Sequence, residues 1–218
     1  VSSRREHPTP IRFGTDGWRA VIAEGFTFEN VERVAQAYAD FVNRQPDAPN
    51  GHADSHQHEA ETPRTGTPQH RKVVVGYDRR FLSEHFAARA AEVLAGNEIG
   101  VALFDTDVPT PLVSWAVRER GAAGGVVITA SHNPATFNGF KIKAPWGGSA
   151  TPETTVAVES LVDARPPQSA RLDPEASKDL ESEVNSYSRQ VASYVDLDRL
   201  RALRGCVVVD PMHGSGGR

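Results

Sequence analysis

Three short apolar runs set the frame of this chain: Lys72-Val73-Val74-Val75-Gly76-Tyr77, Ile99-Gly100-Val101-Ala102-Leu103-Phe104 and Gly125-Val126-Val127-Ile128-Thr129. Each is rich in β-branched residues, and helix-like periodicity separates one from the next. Side chains alternate between the two faces of a strand, so runs that are apolar at successive positions suit strands covered on both sides. Between them, Phe86, Ala87, Ala90, Val93 and Leu94 recur at helical spacing after Ser83, the expected cap, and Gly96-Asn97 is the stop. Thr110-Pro111 opens the next helix, with proline at its first position and Gly121 past its end. Strand, helix, strand, helix, strand is the order of an open sheet with helices on its faces. The expected fold is α/β: a three-layer α/β/α domain with a mixed, mostly parallel sheet.

Further elements extend this frame. Phe28, Val31, Val34, Ala35, Tyr38, Phe41 and Val42 define one apolar helix face, with Thr27 as N-cap. Asn43–Arg71 then contains no Val, Ile, Leu, Met, Phe, Tyr or Trp. Such a stretch cannot bury enough surface to offset its ordering entropy, and it reads as a disordered surface insertion. Asn138-Gly139 is a turn signal, and Phe140-Lys141-Ile142-Lys143 reads as a fourth, shorter strand, antiparallel to the third if the two form a hairpin. Thr151-Pro152 starts another helix. Residues 166–186 read as a polar linker or exposed helix, and Tyr194, Val195, Leu197, Leu200 and Leu203 as a helix leading into a strand at Cys206-Val207-Val208-Val209-Asp210. That strand suits a central position, with Cys206 as inert core. Residues 1–180 are thus expected to form one domain and 181–218 the incomplete start of a second, similar one.

Composition narrows the function class. Lys+Arg 24 against Asp+Glu 28 leaves a formal charge of −4, which offers no basic excess for nucleic acid. No apolar run approaches a bilayer span. The single cysteine, Cys206, cannot make an internal disulfide, and with no secretory signal the expected setting is cytoplasmic.

Chemistry concentrates after the third strand. Thr129-Ala130-Ser131-His132-Asn133-Pro134 delivers a serine to the carboxyl end of the sheet, where open α/β folds bind ligands. Pro134 stiffens the loop and biases Asn133 away from helix. A hydroxyl beside a histidine suits a nucleophile, a phosphate carrier or a turn. A hairpin would bring Lys141 near Ser131, and an ammonium there suits a serine that carries phosphate. Two solvated lysines on an edge strand are the plainer alternative. In Phe13-Gly14-Thr15-Asp16-Gly17-Trp18-Arg19, glycines let amides approach an anion and Arg19 can grip phosphate with two hydrogen bonds. Gly76-Tyr77-Asp78-Arg79-Arg80 reads as an intraloop ion pair in a supporting role. His52, His56 and His58 lie in the insertion and have no scaffold on which to hold a metal. Gly214-Ser215-Gly216-Gly217 lacks the lysine of a nucleotide-phosphate loop.

Together these motifs resemble the α-D-phosphohexomutase superfamily, the phosphoglucomutase and phosphomannomutase enzymes. The resemblance rests on Phe13–Arg19, Gly76–Arg80, Thr129–Pro134 and Asn138–Lys141 in that order, with Asp210–Gly216 similar to the opening of the family's second domain. It implies an enzyme that interconverts hexose 1-phosphate and hexose 6-phosphate, of glucose or mannose, through a phosphoserine at Ser131 and a bisphosphorylated sugar. Lys141 then assists proton transfer, Arg19 contacts phosphate, and His132 orients substrate or shares the proton. The resemblance also implies Mg²⁺, held by the phosphoserine oxygen and by three aspartates of a loop not found in these residues. The 218 residues alone are therefore expected to be inactive. A catalytically silent sugar-phosphate-binding module is the alternative. A Ser131/His132 hydrolase is disfavoured, because no acid is placed to orient the histidine and no Gly-x-Ser-x-Gly elbow exists.

Overall fold

The computed structural model describes residues 10–45, 71–173 and 180–216. Apart from its two ends, the expected insertion, with His52, His56 and His58, lies outside the described residues. The elements run β1 (Gly17–Val21), α1 (Phe28–Arg44), β2 (Lys72–Tyr77), α2 (Ser83–Gly96), β3 (Gly100–Leu103), α3 (Thr110–Glu119), β4 (Gly124–Ile128), β5 (Phe137–Lys143), α4 (Pro152–Ser160), α5 (Glu181–Ser193) and α6 (Leu197–Ala202). The strands form one mixed sheet in the order β1-β5-β4-β2-β3. β2 is parallel to β3 and β4, whereas β5 is antiparallel to both β4 and β1.

Helices cover both faces, as the doubly apolar strands require. Val73 and Val75 of β2 join a core with Phe26, Tyr38, Phe86 and Val158, under α1, α2 and α4. Val74, between them, joins Leu112, Val113, Val117 and Leu180 under α3, with Tyr187 of α5 packed alongside. Thr27 caps α1 by accepting from the Asn30 amide at 3.2 Å, and Thr151 caps α4 from the Thr154 amide at 3.3 Å. Both caps follow the sequence expectation.

Four local expectations are corrected. Ser83 does not cap α2: its hydroxyl donates to Asp78 and accepts from Asn138, and Leu82, at φ +60°, makes the turn into the helix. Asn138-Gly139 is not a turn but the interior of β5. Asn138 is fully buried, with Nδ2 2.9 Å from the Ser83 hydroxyl, and Gly139 is needed for close packing. A Cβ at Gly139 would lie 2.6 Å from the Thr129 carbonyl and 2.9 Å from Arg19 Cγ. Gly17–Val21, for which the sequence offers no strand signal, is an edge strand. β5 is consequently interior, and Lys141 and Lys143 are not the solvated lysines of an edge. Finally, Cys206–Asp210 is not a strand. Among the described residues no strand lies beside it, so Val207, Val208 and Val209 stay 80–86% exposed and Cys206 is exposed rather than core. An isolated apolar strand has no ladder to complete.

Residues 163–170, which run into the expected linker at residue 166, form a strap across α1 and α2. Arg33 donates to both oxygens of Asp163 (2.7 and 2.6 Å), and Arg165 pairs with Asp40. The Gln168 amide donates to Gln36 Oε1 at 2.9 Å, and Gln36 and Asn97 exchange side-chain hydrogen bonds at 2.8 and 2.9 Å.

Candidate active site

The site forms where β2 and β4 end. Beyond Tyr77 and Ile128 the two chains stay joined by the Asp78 amide, which donates to the Ile128 carbonyl at 3.1 Å. Asp78 then organises both loops. Its Oδ1 accepts from the Arg80 amide at 3.0 Å and its Oδ2 from the Thr129 hydroxyl at 2.6 Å. The Thr129 hydroxyl oxygen in turn accepts from the Ser131 amide at 3.0 Å. A carboxylate can only accept, so Asp78 fixes the direction of this relay from Ser131 through Thr129.

Ser131 itself has φ +57°, a left-handed conformation that a non-glycine residue holds only when its surroundings impose it. Arg80 supplies much of that constraint. Its guanidinium donates to four main-chain carbonyls of this loop: Ser131 (2.8 Å), Asn133 (2.7 Å), Pro134 (2.8 Å) and Phe137 (2.9 Å). The Arg80 Nε also lies 3.4 Å from Asp78. The sequence placed an intraloop ion pair around Asp78 in a supporting role; the geometry gives it to Arg80, while Arg79 pairs with Asp107. The sequence did not show that the object supported is the Ser131 loop, because carbonyl acceptors leave no trace in residue identity. A threonine ending a Val/Ile strand was the visible signal for the relay.

The result is an exposed Ser131 hydroxyl at the mouth of a cleft of about 700 Å³. His132 shares this cleft, and its Nδ1 is 3.4 Å from Ser131 Oγ. Arg79, Phe81, the first residues of α3 and Met212–Ser215 complete the walls. Among the described residues no carboxylate bonds to His132, which leaves the imidazole without the orienting acid a hydrolytic triad needs.

Arg19 and Lys141 do not line the cleft. They meet instead on Asp16, beside the serine loop. Lys141 Nζ is 2.8 Å from Asp16 Oδ2 and Arg19 is 3.4 Å from Oδ1, while Arg19 also donates to Asn133 Oδ1 at 3.2 Å. Strand register explains the meeting: Gly17 lies opposite Lys141 and Arg19 opposite Gly139, so both cationic side chains rise from one face. Burial alone would raise the Asp16 carboxyl, but the Lys141 hydrogen bond and the charges of Lys141, Arg19 and Lys143 outweigh it and hold the group below its ordinary value. Lys143 is 8% exposed, and burial, reinforced by Lys141, lowers its ammonium below the usual lysine range. Three cations around one carboxylate leave this cluster, beside the cleft, with an excess of positive charge. Asp16 is the hub of this cluster, and its motif gives no sign of that role, since an Asp-Gly pair equally suits an ordinary turn. The structure thus brings Ser131 with His132, and Arg19 with Lys141, joined through Asn133.

Residues 59–169, just over half of the chain, match the family described as phosphoglucomutase/phosphomannomutase, alpha/beta/alpha domain I. The chain belongs to this family. A probable phosphoribomutase of Schizosaccharomyces pombe is 40% identical over 143 residues, 65% of this chain and 21% of that protein. A phosphoglucomutase of Staphylococcus epidermidis is 40% identical over 158 residues, 71% of this chain and 25% of that protein. Among solved structures, a putative phosphomannomutase from Thermus thermophilus superposes with a TM-score of 0.71 at 35% identity, covering 91% of this chain and 39% of the other. The chain therefore spans about a quarter or less of the length of these curated relatives. The family resemblance implies Mg²⁺, but among the described residues no three His, Cys, Asp or Glu side chains converge. Ser131 alone does not make a magnesium site, so the residues present do not fit the ion. No described helix is long and apolar enough to cross a membrane.

Proposed function

We propose that Ser131 is a phosphoryl carrier which exchanges its phosphoryl group with a hexose phosphate. On this reading the chain is the phosphoserine-bearing part of a mutase interconverting hexose 1-phosphate and hexose 6-phosphate, of glucose or mannose. Residues 1–180 form the carrier domain, and 181–218 lead into a second one. In the forward step the Ser131 Oγ–P bond breaks while a bond forms from phosphorus to a sugar hydroxyl oxygen; that hydroxyl's proton leaves to a base, and the freed Ser131 oxygen takes up a proton. The sugar bisphosphate turns in the cleft, and its other phosphoryl group returns to Ser131 as that serine gives up its proton.

The observation that carries the reading is the pre-set pose of Ser131: an exposed hydroxyl on a left-handed residue, locked by Arg80 and by the Asp78–Thr129 relay. Phosphoryl transfer is largely a matter of positioning and of stabilising charge on the phosphoryl oxygens, and fixed dipoles and cations that need no reorganisation serve this best. Arg19 and Lys141 supply positive charge beside the loop: Arg19 for phosphate, Lys141 for the hydroxyl proton. His132, at 3.4 Å from Oγ, orients the sugar or shares that proton.

The test is mutase turnover by the complete protein that carries this chain. Ser131→Ala is expected to abolish interconversion of glucose 1-phosphate and glucose 6-phosphate, whereas the 218 residues alone are expected to show none. Undiminished turnover in Ser131→Ala, or turnover by the isolated chain, would contradict the reading.

A further inference from the structure

We infer that Phe81 is a stacking platform for the sugar ring, a substrate-binding residue on the wall of the Ser131 cleft. The inference rests on the reading of that cleft as a sugar-phosphate site. Phe81 is 70% exposed, and it is the one Phe, Tyr or Trp among the cleft's described lining residues. The backbone presents it deliberately. The Ser83 amide donates to the Arg80 carbonyl at 3.1 Å, closing a turn with Phe81 at its first central position. Arg80 on one side is tied to four carbonyls, and Leu82 on the other is held at φ +60° with its side chain against the core. A turn position open to water carries no need for a phenyl ring, so an apolar ring fixed at both flanks beside a phosphate-accepting hydroxyl calls for an apolar partner. A pyranose provides one. Its C–H groups present an apolar face with a slight positive character, complementary to the negative face of an aromatic ring.

The platform also suits the turning step. Hydrogen bonds to particular hydroxyls favour one orientation of the sugar. Apolar contact is non-directional and holds the ring whichever phosphate faces Ser131. Phe81 is therefore expected to support binding of the 1-phosphate and the 6-phosphate alike.

The experiment measures binding of glucose 1-phosphate, glucose 6-phosphate and inorganic phosphate to the complete protein that carries this chain, made inert by Ser131→Ala, by ligand-observed saturation-transfer NMR, with wild-type Phe81, Phe81→Ala and Phe81→Trp. Phe81→Ala is expected to weaken both glucose phosphates by about five- to tenfold while inorganic phosphate is unchanged, and Phe81→Trp to restore sugar binding. Because the side chain is exposed, neither substitution removes core. Equal sugar affinity with wild-type Phe81 and with Phe81→Ala would overturn the platform and leave the cleft assignment standing. A loss confined to one glucose phosphate would overturn the non-directional role, and an equal loss of inorganic phosphate would show that the ring shapes the phosphate site instead. Failure of the protein with wild-type Phe81 to bind either glucose phosphate would overturn the reading of the cleft, and the platform with it.

Discussion

At the scale of single residues, the site depends on side chains whose partners are main-chain atoms. Arg80 reaches the carbonyls of Ser131, Asn133, Pro134 and Phe137 through a planar fork that lysine cannot reproduce. Arg80→Lys is expected to lower folding stability by about 1 kcal/mol, because exposed and half-buried loop carbonyls lose charged hydrogen-bond donors, as read by urea denaturation. It should also slow phosphoryl transfer in the complete protein on the order of 10²-fold with little change in KM, as misplacement of a reacting group does. An unchanged kcat would show that Ser131 holds its pose without the clamp. Asp16 contributes to the acid limb of stability, with Glu159, Asp163 and Glu183, whose carboxyls are also held low. The folded Asp16 carboxyl sits below its ordinary 3.8, so its contribution is complete above that pH and is lost as pH falls through the folded value. Asp16→Asn is expected to flatten the loss of stability below about pH 4 in a pH series of chemical melts; an identical acid limb would place the titrating group elsewhere.

At the scale of elements, β5 joins fold and function, and it shows what the sequence could and could not tell. β2, β3, β4, α1, α2, α3 and α4 were legible, because their apolar runs, helical spacing and two of the caps are local signals. β1 and the interior position of β5 were not: Gly17 and Gly139 look like turn residues until the close approach of neighbouring strands is known. Lys143 was misread for a related reason, since a lysine two residues from another on a short strand looks solvated. In the structure it is 8% exposed, and its ammonium is lowered first by burial and then by Lys141. Below the usual lysine range the unfolded chain holds that proton more readily than the folded one, so Lys143 destabilises the fold at neutral pH. Lys143→Met is expected to raise stability by about 1 kcal/mol at pH 7, with the gain vanishing as pH rises past 10.5, where the lysine is neutral in both states. A lower thermal midpoint in Lys143→Met at pH 7 would show that the ammonium is well paired.

At the scale of the whole molecule, two cores sandwich one sheet, and a strap made from what reads as linker sequence closes the first of them. Asn97 is its keystone. It takes hydrogen bonds from Gln36 and Arg165 and donates to Gln36 and to the Val93 carbonyl, and it is 5% exposed. Asn97→Ala is expected to cost about 2–3 kcal/mol and to speed amide exchange at Gln168 and Ala170, since several buried polar groups lose partners together. A cost under about 0.5 kcal/mol would mean that the network closes again without it. The strap was not legible, because Arg165 and Gln168 are polar residues whose partners lie more than sixty positions away. Nor did sequence reveal that Cys206–Asp210, apolar enough for a central strand, stands without strand partners among the described residues. The scaffold nevertheless places one hydroxyl, that of Ser131, where a phosphoryl group can arrive and leave. Incubating the complete protein that carries this chain with glucose 1,6-bisphosphate and mapping any added phosphoryl group by tandem mass spectrometry tests this directly. One phosphoryl group on Ser131, absent in Ser131→Ala, is the predicted result; phosphate on another residue, or none at all, would contradict it.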